Sequence, residues 1–297
     1  MEIEIAVDAH ALIGEGPVWD ATNGVLWWID TFRHEIHAFD PATGGDTCID
    51  IGAQIGALTL RTSGGLVLAM PEGFVAFDPD TEMKEVLAKV DHDATAMRLN
   101  DGKCDRAGRF WAGSITHNPT DPEKVVPVPG TARLYRLDVD GSAMAVLDGV
   151  TVSNGMGWSP EDDTFYYVDT VTFRLDAFDF DLKTGSLDNR RTLITVAPTE
   201  GLPDGMCVDE AGCIWLALSG AGQVRRYTPT GTLDRTIEVP VSRVTSCAFG
   251  GSDLDELYIT SHSALMSEED KAAEPSSGAL FRCRPGTRGL PAHPFGG

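Results

Sequence analysis

This chain of 297 residues has few positive charges and no long apolar segment. Lys and Arg number 23 against 45 Asp and Glu, which gives a formal net charge of -22. Such a chain repels nucleic-acid phosphates and anionic lipid headgroups. Uninterrupted apolar runs such as Val25 to Ile29 fall far short of the ~18 residues of a membrane-spanning helix. We therefore expect a soluble protein that binds neither nucleic acid nor membrane.

Signals for secretion are also missing. Glu2 and Glu4 stand where a secretory signal needs a basic region followed by an apolar one. The six cysteines are spread along the chain without a C-x-x-C pair, unlike the dense frameworks of small secreted domains. These absences predict a cytoplasmic protein whose thiols are reduced and serve as small core residues.

Common catalytic motifs are absent as well. The chain has no G-x-S-x-G, no H-E-x-x-H, no P-loop and no EF-hand loop. The segment from His34 to His37 lacks the i, i+4 spacing of a zinc protease helix, and the seven histidines form no ligand cluster in sequence. We expect most histidines to be surface or packing residues, with His117 on a rim.

What the chain does contain is a weak repeat along its whole length. Each of six segments has a Gly/Asp-rich turn and two short β-branched or aromatic runs. The first of these runs begin near Leu26, Leu66, Phe110, Phe165, Ile214 and Leu257. Their spacing of 40 to 55 residues matches the four-stranded blades of a propeller.

The repeat predicts an all-β fold, a six-bladed β-propeller of four-stranded antiparallel blades around a central channel. We expect one domain over residues 1–297, with Ile3 to Val7 joining the last blade and closing the ring. The Pro- and Asp-rich segment 116–130 and the segment 267–277 are expected to be surface loops.

One residue stands 10 or 11 positions before each of these runs. These residues are Glu15, Gly56, Asn100, Asn154, Asp204 and Ser246. Because the innermost strands of a propeller line its channel, equivalent positions should meet near the axis. Glu15, Asn154 and Asp204 would then offer oxygens to one point, with Asn100 and Asp101 nearby. Such hard ligands suit Ca²⁺, Mg²⁺ or Mn²⁺ and leave coordination positions open.

The same residues also have an ordinary structural interpretation. Asn154-Gly155 and Asp204-Gly205 are common two-residue hairpin turns. Asp30 and Asp169 close equivalent runs, and we expect them to cap turns rather than to bind an ion. Polar residues in one register across separate repeats favour a shared site over unrelated turns.

Four segments, taken in order, resemble the motifs of the regucalcin/gluconolactonase family. They are LIGEGPVW at 12–19, RLNDGKCDRAGRFWAG at 98–113, VSNGMGWS at 152–159 and LPDGMCVD at 202–209. The resemblance implies a six-bladed propeller with one divalent metal ion: Ca²⁺, Mn²⁺, Mg²⁺, Zn²⁺ or Fe²⁺. It also implies hydrolysis of a sugar lactone, such as gluconolactone, to the aldonic acid.

The resemblance implies roles residue by residue. The metal ligands would be Glu15, Asn154 and Asp204, and Asp204 would also accept a proton from the attacking water. Substrate contacts would come from Arg98 and Asn100, with Asp101 beside them. The chain departs from the family where a substrate-binding acid aligns with His117-Asn118, which places these two residues among the expected substrate contacts.

Two other functions stay open at this point. A centre that polarises carbonyl oxygens could also polarise phosphoryl oxygens, as in organophosphate hydrolysis. A non-catalytic, calcium-binding regulatory propeller is the other alternative, although a calcium buffer gains by filling the coordination sphere with protein oxygens. The expected partner is a small sugar lactone, and the expected state is a monomer or small homo-oligomer.

Overall fold

The structure is a computed structural model that describes residues 2–297, and these residues form a ring of six antiparallel β-sheets. The predicted six-bladed β-propeller is therefore confirmed. Consecutive strands are neighbours in each blade because short turns join them. The first strand of each blade contacts the first strands of the adjacent blades, so these six strands surround the axis.

The strands are numbered along the chain. The first strand is β1 (Ile3–Val7), which precedes blade 1. Blade 1 comprises β2 (Gly14–Asp20), β3 (Val25–Asp30), β4 (Glu35–Asp40) and β5 (Gly45–Asp50). Blade 2 comprises β6 (Ala57–Leu60), β7 (Leu66–Met70), β8 (Gly73–Phe77) and β9 (Lys84–Lys89). Blade 3 comprises β10 (Met97–Cys104), β11 (Phe110–Asn118), β12 (Asp121–Val125), β13 (Ala132–Leu137) and β14 (Ala143–Val150).

The second half of the ring repeats the pattern. Blade 4 comprises β15 (Ser153–Trp158), β16 (Thr164–Asp169), β17 (Arg174–Asp181) and β18 (Ser186–Thr195). Blade 5 comprises β19 (Leu202–Val208), β20 (Ile214–Ser219), β21 (Gln223–Tyr227) and β22 (Leu233–Glu238). Blade 6 takes β1 as its outermost strand and otherwise comprises β23 (Val244–Gly250), β24 (Glu256–Ser261) and β25 (Leu280–Cys283).

The N-terminal strand closes the ring as predicted. β1 pairs antiparallel with β25, and Ile5 lies opposite Phe281. The two ends of the chain therefore share one sheet, which makes blade 6 dependent on contacts between the first and last residues. Pairing with β1 also covers the edge that β25 would otherwise expose.

Both segments expected to be loops contain regular structure. β11 extends to Asn118, and β12 pairs with its end so that His117 lies opposite Val125. The segment 267–277 holds helix α1 (Glu268–Ala273), whose N-cap Ser267 accepts a hydrogen bond from the Asp270 amide. The prediction that these two segments are loops was wrong. Strand β12 is stabilised by backbone pairing and helix α1 by its N-cap, and neither feature can be recognised from amino-acid composition.

Helix is otherwise confined to the short 3₁₀ turns Thr170–Thr172 and Pro198–Glu200 in the described part of the chain. Among residues 2–297, no helix has the length and apolar character needed to cross a bilayer.

The apolar core is divided among the interfaces between adjacent blades. A separate cluster of buried residues fills each interface of the described ring. Between blades 3 and 4, for example, Trp111 packs on Phe165 with ring centroids 5.5 Å apart. The innermost strands are thus held at fixed positions by packing on both sides, which gives the channel a rigid wall.

The cysteines differ from the expectation at one position. All six are free thiols, and five are buried, but Cys48 is exposed on the outermost strand of blade 1. The core assignment was wrong for Cys48 because β5 is an edge strand whose side chains face solvent on one side.

Candidate functional site at the channel mouth

The residues predicted to converge lie at matching places on the innermost strands. Glu15 is on β2, Asn100 and Asp101 are on β10, Asn154 is on β15 and Asp204 is on β19. The pairing register shifts at each of these places, which is the mark of a β-bulge. Bulges re-aim side chains and often occur beside active sites. The repeat therefore turns polar side chains toward the axis by the same local device in four blades.

The hairpin-turn interpretation of the Asn-Gly and Asp-Gly pairs is wrong. Asn154 and Asp204 lie inside strands, and the glycines that follow them serve close packing between strands. A Cβ on Gly155 would meet the carbonyl oxygen of Asp204, and one on Gly205 would clash with Ser246. Glycine is required here because neighbouring inner strands approach closely.

Asp30 caps the turn after its own strand as expected, because its Oδ1 accepts from the Phe32 and Arg33 amides at 3.2 Å. Asp169 differs, since its side chain makes no cap bond to the turn Thr170–Thr172 and instead bonds a neighbouring segment. The Asp30 carboxylate accepts from the amides of Leu12 and Ile13 at 2.7 and 3.0 Å, just before β2. The Asp169 carboxylate accepts equivalent bonds at 3.0 and 2.9 Å just before β15. Each carboxylate fixes the start of the strand that carries Glu15 or Asn154.

A chain of hydrogen bonds crosses the channel mouth from blade 3 to blade 5. The Arg98 guanidinium donates to Asn100 Oδ1 at 2.8 Å. Asn100 Nδ2 in turn donates to the Ser153 carbonyl at 2.8 Å and approaches Asn154 Oδ1 at 3.4 Å. These bonds leave the Asn100 amide only one orientation, with its nitrogen toward blade 4.

Thr170 fixes the amide of Asn154 in the same way. Its hydroxyl donates to the Pro203 carbonyl at 2.9 Å and accepts from Asn154 Nδ2 at 2.9 Å. The amide nitrogen therefore faces Thr170, and Oδ1 faces Asn100. Sequence analysis missed Thr170, and no motif marks it except its position directly after Asp169.

Three carboxylates share the channel mouth. Burial is the main cause that raises the pKa of Glu15 well above its ordinary value, and the charges of Asp204 and Asp101 add to it. Burial and then Asp101 likewise raise the pKa of Asp204 strongly, against weaker opposition from the Gly205 amide and the Asn154 side chain. Burial also raises the pKa of Asp101, which Lys103 opposes.

Little positive charge compensates this cluster. Arg98 is nearby, but burial lowers the pKa of its guanidinium to about 10, with Glu15 as the opposing influence. Asp204 Oδ1 is buried and has no hydrogen-bond partner. Burying an ionised carboxylate without a partner costs folding free energy. The three carboxylates therefore need either a bound cation or protons to offset their charge.

The donor set fits a divalent cation. Glu15 and Asp204 supply carboxylate oxygens, one of them orphaned, and Asn154 supplies an amide oxygen whose direction is fixed by Thr170. Hard cations such as Ca²⁺, Mg²⁺ and Mn²⁺ take oxygen ligands of this kind. No choice of one carboxylate oxygen each from Glu15, Asp101 and Asp204 places all three oxygens within 4.8 Å of one another. In the described residues, one other group of side chains does meet this distance, and it lies in blade 1.

His117 and Asn118 occupy a different place. They end β11, beyond the innermost strands, and His117 is buried with its Nδ1 3.1 Å from the Asn118 carbonyl. Asn118 Oδ1 accepts from the Thr120 amide and hydroxyl, both at 2.9 Å, and so shapes the turn to β12. Within residues 2–297, no hydrogen bond links this pair to the carboxylate cluster, and their contact with substrate stays a prediction.

A separate cavity of about 140 Å³ lies toward the far end of the innermost strands. Its lining includes Val18, Lys103 and Val208, which follow Glu15, Asp101 and Asp204 on the same strands. None of the predicted site residues lines this cavity. Its wall is largely apolar, although Lys103, Asp162 and His293 also line it.

The chain matches a family model described as "SMP-30/Gluconolactonase/LRE-like region" over residues 13–263. It is 38% identical over 299 residues to regucalcin of Xenopus laevis, covering 100% of this chain and 99% of that protein. It is 35% identical over 298 residues to YvrE of Bacillus subtilis (strain 168), which carries the name of a sugar lactone lactonase, with the same coverage. A solved structure described as a calcium-binding protein, regucalcin, from Agrobacterium tumefaciens superposes with a TM-score of 0.90 at 26% identity, covering 98% of this chain and 96% of that one.

Proposed function

Because this chain belongs to the SMP-30/gluconolactonase/LRE-like family, we propose that it hydrolyses a sugar lactone, such as gluconolactone, to the aldonic acid. The carboxylate cluster at the channel mouth is the observation that carries the proposal. Three acids with raised pKa values and an orphaned Asp204 oxygen form a poised site rather than a stable structural one. Relatives named for sugar lactone hydrolysis supply the substrate class.

Glu15, Asn154 and Asp204 would hold one divalent ion, from among Ca²⁺, Mn²⁺, Mg²⁺, Zn²⁺ and Fe²⁺. When bound, such an ion supplies Lewis-acid polarisation of the lactone carbonyl and balances the two carboxylate charges. The hydrogen bond from Asn154 Nδ2 to Thr170 keeps the amide oxygen directed away from Thr170. The protein thus sets the ligand orientation before the substrate arrives.

Asp204 is the proposed general base. Its carboxylate would accept a proton from the water that attacks the lactone carbonyl. In the protein without a bound ion, burial and then the Asp101 charge raise the pKa of Asp204. General-base assistance of this kind typically contributes ~10² to 10⁴-fold to the rate.

The remaining polar residues would position the sugar. Arg98 and Asn100 stand beside the carboxylates, and their mutual hydrogen bond holds Asn100 in place. We propose that they, with Asp101, contact the lactone hydroxyls. His117 and Asn118 would contact the sugar from the end of β11, where the family carries an acid.

Hydrolysis of a lactone panel tests the function directly. Metal-stripped protein is reloaded with each divalent ion in turn, and acid release from several aldonolactones is followed by pH-stat titration. We expect hydrolysis that depends on the ion and that favours one lactone. An organophosphate cleaved with higher kcat/KM than any lactone would instead support the phosphotriester alternative.

A calcium-binding regulatory role is the second candidate. It is favoured by the relatives named regucalcin and by the Agrobacterium protein described as calcium-binding. Tight Ca²⁺ binding without lactone hydrolysis by any ion would establish it. We further propose that residues 1–297 act as one domain in the cytoplasm, as a monomer or small homo-oligomer; Met1 lies outside the described residues.

A further inference from the structure

A second group of metal-binding side chains lies in blade 1, away from the channel. Glu35 and His37 lie on β4, and Cys48 lies opposite His37 on β5. The ligand atoms of these three side chains all lie within 4.8 Å of one another. β4 and β5 are the third and fourth strands from the axis, so this group is separate from the one that includes Glu15.

The His37 ring is held rigidly. Its Nδ1 lies 2.7 Å from Asp46 Oδ2, and its face stacks on Trp28 with ring centroids 3.9 Å apart. The Trp28 indole Nε1–H donates to the other Asp46 oxygen at 3.2 Å. Trp28 and Asp46 therefore fix both the plane of the imidazole and the carboxylate behind it.

The free nitrogen of this ring faces the other two side chains. An ionised carboxylate can only accept, so the bond to Asp46 places a proton on Nδ1, and in the neutral ring the lone pair is then on Nε2. His37 is 6% exposed, and its buried Nε2 has no hydrogen-bond partner. The nearest carboxylate oxygen, Glu35 Oε2, is 3.6 Å away, beyond hydrogen-bond distance. A buried lone pair of this kind calls for a ligand.

We propose that Glu35, His37 and Cys48 bind a transition-metal ion of the Zn²⁺ class on the outer face of blade 1. Imidazole nitrogen, thiolate sulfur and carboxylate oxygen are the ligands of protein zinc, and three of them leave a fourth position for water. A carboxylate behind the second histidine nitrogen is the usual arrangement around such ions. Binding breaks the Cys48 S–H bond, forms the metal–sulfur bond and releases the proton to solvent.

The surroundings favour a cation. The acidic side chains of Glu35, Asp46 and Asp50 place negative charge around the Cys48 thiol. A bound ion would replace the thiol proton and compensate this negative charge. It would also join the edge strand β5 to β4 through side chains. The site depends in no way on the proposed lactone hydrolysis.

Cobalt substitution provides the sharpest test, because a thiolate bound to Co²⁺ gives a charge-transfer absorption that oxygen ligands do not give. The Glu15, Asn154 and Asp204 group contains no sulfur, so Co²⁺ bound there is silent in this band. We expect the band in the full-length protein, its loss in Cys48→Ser, and its retention in Glu15→Gln. Cys48→Ser should also lower bound Zn²⁺ by about one ion per chain. Cys48 is exposed, so this variant should keep the thermal midpoint of metal-free wild type.

Asp46→Asn separates metal binding from a merely structural role of the cluster. Loss of the carboxylate behind His37 should weaken Co²⁺ binding about 10 to 100-fold, while saturating Co²⁺ restores the full band. The absence of a thiolate band in folded wild type at saturating Co²⁺ would overturn the proposal. A band that survives Cys48→Ser would overturn it equally.

Discussion

Asp204 lies inside the innermost strand β19, Asp209 directly follows that strand, and the environments of the two aspartates are opposite. Asp209 is fully buried and accepts from the Cys213 amide at 2.9 Å, the Trp215 indole at 2.9 Å and Arg226 Nε at 2.8 Å. Asp204 has a buried oxygen without any partner and acidic neighbours. The two aspartates therefore differ in the number of hydrogen-bond donors around them, although they lie only five residues apart.

The structural pattern recurs in another blade. Asp105 follows β10 as Asp209 follows β19, and it accepts from the Trp111 indole at 2.9 Å and Arg109 Nε at 2.6 Å. An Asp, Trp and Arg group thus holds the far end of the inner strand in blades 3 and 5. No comparable set of donors serves Glu15 or Asp204. The channel end that holds Asp105 and Asp209 is therefore stabilised by hydrogen bonds and ion pairs, whereas the end that holds Glu15 and Asp204 has few donors.

Removing the base should have the largest effect. Asp204→Asn keeps an oxygen that can reach an ion but cannot accept the proton, so we expect kcat at saturating metal to fall by roughly 10² or more. Glu15→Gln loses the same charge without losing a proton acceptor, and it should recover much of its rate when metal saturates. Steady-state lactone hydrolysis against metal concentration measures both. Equal recovery in the two variants would show that Asp204 is a ligand only, with a neighbour such as Asp101 or the metal activating the water.

Asp209→Asn should have the converse effect, a loss of stability. The substitution leaves Arg226 beside a neutral amide and gives the Trp215 indole a weaker acceptor. Breaking a buried ion pair typically lowers the free energy of unfolding by about 3 kcal/mol or more. Chemical denaturation should show this loss, while kcat at a temperature where the variant is folded stays near that of wild type. A large fall in kcat in the folded variant would erase the distinction between the two aspartates.

Thr170→Val should weaken metal binding by about tenfold, the lower end of the effect of removing groups that orient ligands. Valine keeps the shape of threonine but cannot accept from Asn154 Nδ2, so the amide is no longer held. Calorimetric titration with Mn²⁺ measures the affinity, and Thr170→Ser, which keeps the hydroxyl, is the matched control. If serine weakens binding as much as valine, the hydrogen bond is not the cause.

The smallest effect is expected at the end of β11. Asn118→Ala removes one proposed hydrogen bond to the sugar, worth about 1 kcal/mol, and should raise KM roughly fivefold with kcat unchanged. Thr120→Ala removes only the hydroxyl bond to Asn118 and serves as the control. If both variants raise KM alike, Asn118 acts through the turn and does not touch substrate.

The fold and the channel residues were predictable because a propeller repeats. The offset is nearly the same from Glu15 to Leu26 and from Asp204 to Ile214, which places these residues at equivalent positions on equivalent strands once a propeller is assumed. Thr170 was not predictable, since its role depends on the Pro203 carbonyl of the next blade. The group of Glu35, His37 and Cys48 was not predictable for a similar reason. Its side chains lie on two paired strands, and the register between strands cannot be read from residue spacing in the sequence.

We infer that the protein leaves the channel carboxylates without compensating positive charge, which a bound cation then supplies. The experiment is thermal unfolding of wild type and Asp204→Asn at about pH 8, each with and without Mn²⁺. The folded-state pKa values of Glu15 and Asp204 lie above their ordinary values. The contribution of these two groups to folding stability is therefore fully present below about pH 4 and is lost as pH rises through the raised pKa values. Metal-free Asp204→Asn should therefore melt above wild type at about pH 8, with a gap that closes toward about pH 4. Saturating Mn²⁺ should reverse the order, because it stabilises wild type more. A variant that melts below wild type in the absence of metal at about pH 8 would contradict the account.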